Sequence, residues 1–299
     1  KGCGVLRNDP IPSEAELERF YRRDYRQDYK GAAEPRLRQV WRNLDRLNGH
    51  FMDFRDVYCE GRLAGGRWLD MGAGSGEFLY LAQHLGAEAT GIEPNEAYAA
   101  YCRDRLALPV QTGRMEEFDF GAGRFDLIRL SHVLEHLRDP VAALERLAGW
   151  LAPDGVIYIE VPDIEKDAQH KLRGRMFHYG HIYNYNPVTL RQVAARAGLV
   201  ELPATAARSA GTCGAFFLRG EGGAFSAAEL AANAARMAAA MAGHQGRLVP
   251  TPARESALGR FFATMAKRLA EARQGARLGS HRAIAEAAAA RLTTQLRQV

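Results

Sequence analysis

A chain of 299 residues, 47% hydrophobic and 25% charged, holds enough apolar material for one large α/β domain with additions, or for two modest domains, and excludes wholesale disorder. Its formal charge of +5 is small for this length. Arg19, Arg22, Arg23, Arg26, Arg36, Arg38, Arg42 and Arg46 are interleaved with Asp24, Asp28, Glu34 and Asp45, the pattern of solvated helix faces rather than a single-sign nucleic-acid footprint.

Cys3, Cys59, Cys102 and Cys213 form no C-x-x-C pair and no disulfide framework, and neither a signal peptide nor an uncharged run of about 18 residues is recognised. These features predict a cytoplasmic location and no membrane span. The sequence starts at Lys1 rather than at a methionine.

Residues 1–63 read as a helical lead-in. Ser13-Glu14-Ala15-Glu16 is a capping box that opens a helix to about Arg23. A second helix is predicted over about 35–58, with Leu37, Val40, Leu44, Leu47, Phe51 and Phe54 at three- and four-residue steps. Gly65-Gly66 then breaks the chain.

From 64 to 220 short apolar runs alternate with amphipathic stretches. Strands are expected at Arg67–Met71, 88–92, about 109–111, 125–130 and 155–161, with helices at 76–85, 95–106 and 140–151. This alternation means parallel β-α-β units and a doubly wound sheet covered on both faces. A helix at 187–198 ends on Gly198, and Thr212–Arg219 reads as a last strand. Residues 221–299 form an extension rich in alanine, opened by the capping box Ser226-Ala227-Ala228-Glu229 and interrupted by Pro250 and Pro252. Two or three helices are expected there, as packing material or as an arm joining copies in a homo-oligomer.

The strongest local signal is Asp70-Met71-Gly72-Ala73-Gly74-Ser75-Gly76, where a strand runs into a glycine loop that opens a helix. Glycines allow positive φ and close approach of a ligand, and the helix N-terminus offers free N–H groups. A dinucleotide fingerprint needs G-x-G-x-x-G, but Glu77 occupies the third position. Asp70 would repel a pyrophosphate. It would attract a cationic ligand such as S-adenosylmethionine, with its ammonium and sulfonium.

Glu93, in Gly91-Ile92-Glu93-Pro94-Asn95, ends the next strand and suits a bidentate grip on ribose hydroxyls; its plainer reading is a helix-initiating turn. In Gly113-Arg114-Met115-Glu116-Glu117, Met115 suits a cover for the adenine and Glu116 a contact to its amine, while an ordinary acidic loop is the alternative. The candidate cofactor residues are thus Asp70, Gly72, Ala73, Gly74, Gly76, Glu93, Pro94, Met115, Glu116 and, at the fourth strand's end, Ser131.

After that strand, at the sheet's switch point, come His132, Glu135 and His136. Their i, i+3, i+4 spacing predicts one face of a helical turn. Two imidazoles and a carboxylate suit a divalent metal or proton transfer, and a buried hydrogen-bonded cluster is the bland alternative. Phe177-His178-Tyr179-Gly180-His181-Ile182-Tyr183-Asn184-Tyr185-Asn186-Pro187 mixes aromatic and hydrogen-bonding residues, as an acceptor-binding lid or a rigid packing loop would. His132, His136 and His181 are the candidate catalytic bases.

Taken together, these motifs resemble the class I S-adenosylmethionine-dependent methyltransferases, in the branch of ubiquinone-biosynthesis-type and polysaccharide-tailoring O-methyltransferases. The resemblance rests on Leu69–Gly76, Gly91-Ile92-Glu93-Pro94, and Val133-Leu134-Glu135-His136-Leu137-Arg138-Asp139-Pro140 running into Leu151-Ala152-Pro153-Asp154-Gly155. It implies a mostly parallel, Rossmann-like seven-stranded sheet with an antiparallel last strand, for which Gly214–Leu218 is the candidate.

It also implies methyl transfer to a small-molecule or saccharide acceptor. In some relatives an E-x-x-E-H run holds a divalent metal; here the first position is His132, which suits zinc or a transition metal better than magnesium. Cys3–Pro10 and Glu16–Tyr21 resemble a lead-in that in relatives trails a zinc-binding cysteine cluster, of which Cys3 alone stands here. Two other classes stay open on the sequence: a non-catalytic cofactor-binding scaffold, and a nicotinamide-dependent oxidoreductase, against which Asp70 and Glu77 both argue.

Overall fold

Apolar runs bounded by turn residues become strands, and the amphipathic stretches become the helices that cover them. The computed structural model describes residues 2–20, 34–59, 63–170, 177, 179–203, 211–223, 225–245 and 257–298. Its elements run β1 (Leu6–Arg7), α1 (Glu14–Arg19), α2 (Leu37–Asp53), α3 (Arg55–Tyr58), β2 (Arg67–Met71), α4 (Glu77–His84), β3 (Glu88–Glu93), α5 (Glu96–Leu106), β4 (Val110–Thr112), β5 (Phe125–Ser131) and α6 (Pro140–Trp150). They continue through β6 (Leu151–Pro162), α7 (Ile164–His170), β7 (Tyr183–Asn184), α8 (Pro187–Arg196), β8 (Leu199–Glu201), β9 (Thr212–Arg219), α9 (Ala227–Gln245), α10 (Ala257–Leu278) and α11 (His281–Arg297). The positions expected for the first helix's end, Tyr21 to Arg23, and the interrupting Pro250 and Pro252 lie outside the described residues.

Among the described residues a seven-stranded sheet has the order β4-β3-β2-β5-β6-β9-β8, so the chain winds outward from β2 in one direction and then in the other. β2, β3 and β4 pair in parallel, and β9 runs antiparallel to both β6 and β8. This is the doubly wound, Rossmann-like sheet with an antiparallel final strand. Two features differ from the sequence reading. β6 begins at Leu151, ahead of the Asp154-Gly155 turn signal, although its ladder with β9 runs only from Val156 to Pro162. β8, three residues after Gly198, is too short to show any period.

The chain divides into two compact units. One comprises Glu18–Asp119, Phe125–Leu127 and Pro252–Val299. Within it Val40, Leu44, Leu47 and Phe51 of α2 are buried at helical spacing, and α2 packs against the C-terminal α11, which buries Ile284, Ala285, Ala288, Ala289 and Leu292. Asn48 Nδ2 donates to the Ala288 carbonyl at 3.0 Å. The expected helix over 35–58 breaks at Phe54, whose φ of −118° and ψ of 27° leave the helical region. The break brings Tyr58 to Trp68 (5.4 Å between rings) and to His50 Nε2 (2.8 Å).

The other unit comprises Lys1–Leu17, Phe120–Arg124 and Ile128–Thr251. There the Ser13–Glu16 and Ser226–Glu229 capping boxes are both formed, with reciprocal backbone and side-chain bonds. Asp139 caps α6 and Asn186 caps α8, each followed by a proline in the first turn. No helix among the described residues is long and apolar enough to cross a membrane.

Candidate active site

In the first unit the end of β2 delivers Asp70, fully buried, into the glycine loop. Gly72, Gly74 and Gly76 have φ of 73°, 57° and 76°, a backbone that side chains resist. The loop is closed from below: the Gly72 and Ala73 N–H groups both donate to the Ile92 carbonyl, at 2.8 and 2.9 Å. A Cβ on Gly76 would lie 2.5 Å from Leu108 Cδ1, and one on Gly91 would lie 2.9 Å from Ala73 Cβ.

Glu93 does two jobs at once. Its Oε2 accepts from Gly74 N at 2.8 Å and its Oε1 from Asn95 N at 3.0 Å. Both oxygens are thus engaged by backbone N–H groups around the loop, as the helix-turn reading expects. Pro94 follows it, half-buried, and Asn95 caps α5 through Tyr98 N.

Glu77, where a dinucleotide site would have its third glycine, is buried and accepts from Ser75 Oγ at 2.8 Å and Asn43 Nδ2 at 2.9 Å. A third carboxylate at this loop disfavours a pyrophosphate further. Cys102 donates to the Gly74 carbonyl at 3.4 Å; burial, then Glu77, Glu93 and Asp70, push its thiol well up, so it stays neutral. Met115 is buried in a short 3₁₀ turn, while Glu116 is exposed and pairs with Arg114 at 3.5 Å.

The second unit holds the histidines. His132 has φ of 57° and its N–H donates to the Glu160 carbonyl at 2.8 Å. The expected helical turn is only the 3₁₀ segment Leu134–His136, so His132 stands before it and not on its face. Its ring still lies between two carboxylates, with Nδ1 3.5 Å from Glu135 Oε1 and Nε2 3.8 Å from Glu160 Oε1. Ser131 Oγ and Tyr158 Oη both donate to Glu160, at 3.5 and 2.9 Å.

Glu135 is 1% exposed. Burial raises its pKa, but the imidazoles of His136, His132 and His181 outweigh that and hold the carboxyl at about 2. His136 Nδ1 lies 2.7 Å from the Gly180 carbonyl, and its ring meets that of His181 edge-on, centroids 4.8 Å apart.

The loop that carries His181 is split in character. Phe177 and Tyr179 are exposed, while Ile182, Tyr185 and Asn186 are buried; His178 lies outside the described residues. Burial, then Glu135, keeps the Tyr185 phenol well above its usual pKa.

Glu160 was not singled out from sequence, and Tyr185 only within the Phe177–Pro187 run. Glu160 left a signal nonetheless: it is the one charged residue in the apolar run Val156–Val161, where a buried carboxylate needs a reason.

A family model described as a methyltransferase domain matches residues 40–202, more than half of the chain. The chain is similar to the ubiquinone biosynthesis O-methyltransferases of Rhodopseudomonas palustris strain BisB5 (32% identity, 32% of this chain and 40% of that one) and Bradyrhizobium diazoefficiens (31% identity, 35% and 43%). It spans about two fifths of the length of these curated relatives. Among solved structures, the magnesium protoporphyrin IX methyltransferase from Synechocystis PCC 6803 with bound SAH aligns with a TM-score of 0.51 at 14% identity. That alignment covers 69% of this chain and 100% of that one, and it shows a shared fold.

Proposed function

The chain belongs to the methyltransferase-domain family, and from that premise we propose that it transfers the methyl group of S-adenosylmethionine to an oxygen of a small-molecule or saccharide acceptor. The observation that carries the reading is the presence at one glycine loop of buried Asp70 and of Glu93, whose carboxylate accepts from Gly74 N, with Gly72, Gly74 and Gly76 all at positive φ. When bound, S-adenosylmethionine supplies an electrophilic methyl carbon on a sulfonium. Asp70 places negative charge where a cationic ammonium is attracted, and Glu93 retains lone pairs for ribose hydroxyls. Met115 offers the apolar cover and Pro94 stiffens the turn behind Glu93.

On the acceptor side an alcohol or phenol must lose its proton as it attacks. His132 is the base in this reading. Its ring is 37% exposed, and the imidazolium it becomes is flanked by Glu135 and Glu160. The names of the curated relatives support an oxygen acceptor over nitrogen or carbon. Alignment of acceptor and methyl supplies much of the acceleration in such displacements, about 7–11 kcal/mol.

The test is calorimetric titration of the full chain with S-adenosylhomocysteine and with NADH, followed by transfer of labelled methyl to panels of phenols and sugar nucleotides. Micromolar S-adenosylhomocysteine binding, no NADH binding and at least one labelled product are expected. His132→Ala should lower turnover on that acceptor by about 100-fold or more with cofactor affinity unchanged, in keeping with loss of a general base. NADH binding alone would overturn the reading, and cofactor binding with no product from any acceptor would leave a scaffold.

A further inference from the structure

The lead-in motif Cys3–Pro10 has no part in the methyl-transfer reading, yet it lies against the loop that carries His181. β1 pairs antiparallel with β7, Leu6 opposite Asn184 and Arg7 opposite Tyr183. Asn8 then takes hold of the loop twice. Its backbone N–H donates to the Ile182 carbonyl at 2.9 Å, and its Nδ2 donates to the Tyr179 carbonyl at 3.2 Å. Those two carbonyls stand on either side of Gly180-His181.

His136 holds the same segment. A carbonyl oxygen only accepts, so His136 Nδ1 donates to Gly180 O at 2.7 Å, and the His136 ring meets that of His181 with centroids 4.8 Å apart. Asn8 and His136 together fix the carbonyls of Tyr179, Gly180 and Ile182.

The N-terminal segment is anchored on both sides of Asn8. Asn233 of α9, 1% exposed, donates to the Cys3 carbonyl at 2.8 Å, and a Cβ on Gly4 would lie 2.7 Å from Asn233 Nδ2. Leu6 packs against Ile164, Ala168 and Met237. Beyond Asn8, Arg138 Nη1 donates to the Pro12 carbonyl, and the Arg138 carbonyl accepts from Tyr183 Oη at 3.2 Å. A two-stranded ribbon this short does not hold itself in water. Its geometry is set by these anchors and passed to the loop through Asn8.

We propose that Asn8 is a positioning residue for methyl transfer: it holds Tyr179–Ile182 in place and thereby sets acceptor binding beside His136 and His181. The assignment rests on the acceptor-side reading under Proposed function. It makes the N-terminal segment part of the acceptor side, whereas the glycine loop has its own braces in Glu93 and the Ile92 carbonyl. A loop displaced by about 1 Å misaligns an acceptor at a cost of up to about 100-fold.

The experiment compares the full chain with Asn8→Ala, Asn8→Asp and Asn8→Gln. The first two both remove the Nδ2 donor, so their agreement separates the donor from the new charge; the third keeps an amide on a longer arm. Amide hydrogen exchange over residues 179–184 should be about 2- to 10-fold faster in Asn8→Ala and Asn8→Asp, the weight of one hydrogen bond, and closer to the parent in Asn8→Gln. With an acceptor that the phenol and sugar-nucleotide panels show to be labelled, acceptor KM should rise about tenfold or more in Asn8→Ala and Asn8→Asp. Asn8→Gln should restore part of this, and affinity for S-adenosylhomocysteine should stay within about twofold throughout. A residue that serves only the fold would lower the melting temperature without that split.

Unchanged exchange in both donor-less variants would overturn the clamp. A loosened loop with an unmoved acceptor KM, or a loss of cofactor affinity in step with it, would overturn the positioning role. Failure of the methyltransferase reading shows separately, as no labelled product from the parent chain; the positioning role falls with it, while exchange still decides whether Asn8 holds the loop.

Discussion

Asp126 shows how one side chain can set a local pH dependence. It accepts from Arg67 N at 2.7 Å, Nε at 3.2 Å and Nη2 at 3.1 Å, fastening the start of β2 to the start of β5 within one unit. Partial burial raises its pKa, but the bonds from Arg67 outweigh that and lower it overall. A carboxyl with a depressed folded pKa contributes stability that is present above its unfolded value of about 3.9 and is lost as pH falls through the folded value. Asp126→Asn should cost about 1 kcal/mol at neutral pH. In urea titrations across pH, its deficit against the parent should stay constant above about pH 5 and shrink below pH 4. A deficit independent of pH would mean that the charge is irrelevant. The pairing was invisible in the sequence, because 59 residues separate the partners and neither stands in a motif. The placement of Asp70 and Glu93 was legible for the opposite reason: each stands in a local motif, near a strand end and beside glycines.

At the level of elements, regular periodicity was readable and its interruptions were not. The strands and helices from Arg67 to Trp150 fall within a residue or two of their expected bounds, since alternation and caps such as Asn95 and Asp139 are local. The break at Phe54 and the left-handed turn at His132 go with distant partners, Trp68 and Phe78 meeting Tyr58 just past the break in one case and the Glu160 carbonyl in the other. β9 illustrates a constraint that lies between the two. Its run of apolar residues announces a strand, but nothing local explains Gly214. In the sheet Gly214 pairs with Glu160, and a Cβ there would run into the Ile159 carbonyl. Gly214→Ala should therefore cost about 1–3 kcal/mol by forcing β6 and β9 apart. The same substitution should disturb Glu160 and so reduce turnover more than cofactor affinity. Chemical denaturation and paired titrations would check this; a neutral effect on both would show that the strands yield freely.

On the scale of the whole chain, the open question is what the alanine-rich end is for. Sequence could not separate packing within the chain from an arm that joins copies, because alanines at helical spacing serve either. α11 packs against α2, some 240 positions away, and buries Leu292 completely. The same α2 reaches the glycine loop through Asn43, which donates to Glu77. The tail also meets the helix that opens at the loop directly, since α11 packs against α4 and Thr293 Oγ1 lies 2.9 Å from His84 Nε2. The loop has its own braces, Glu93 to Gly74 and the Ile92 carbonyl to Gly72 and Ala73, and these do not involve α11. Leu292→Ala should consequently cost about 2–5 kcal/mol, the range for a large-to-small change in a closed core. At about 2–4 °C per kcal/mol in a chain of this size, that is a clear drop in melting temperature. Its affinity for S-adenosylhomocysteine, measured well below the transition, should remain within about twofold of the parent, a difference of less than about 0.5 kcal/mol. A tenfold loss of affinity at that temperature would instead make the tail part of the binding machinery, acting through α4 or through Asn43 and Glu77.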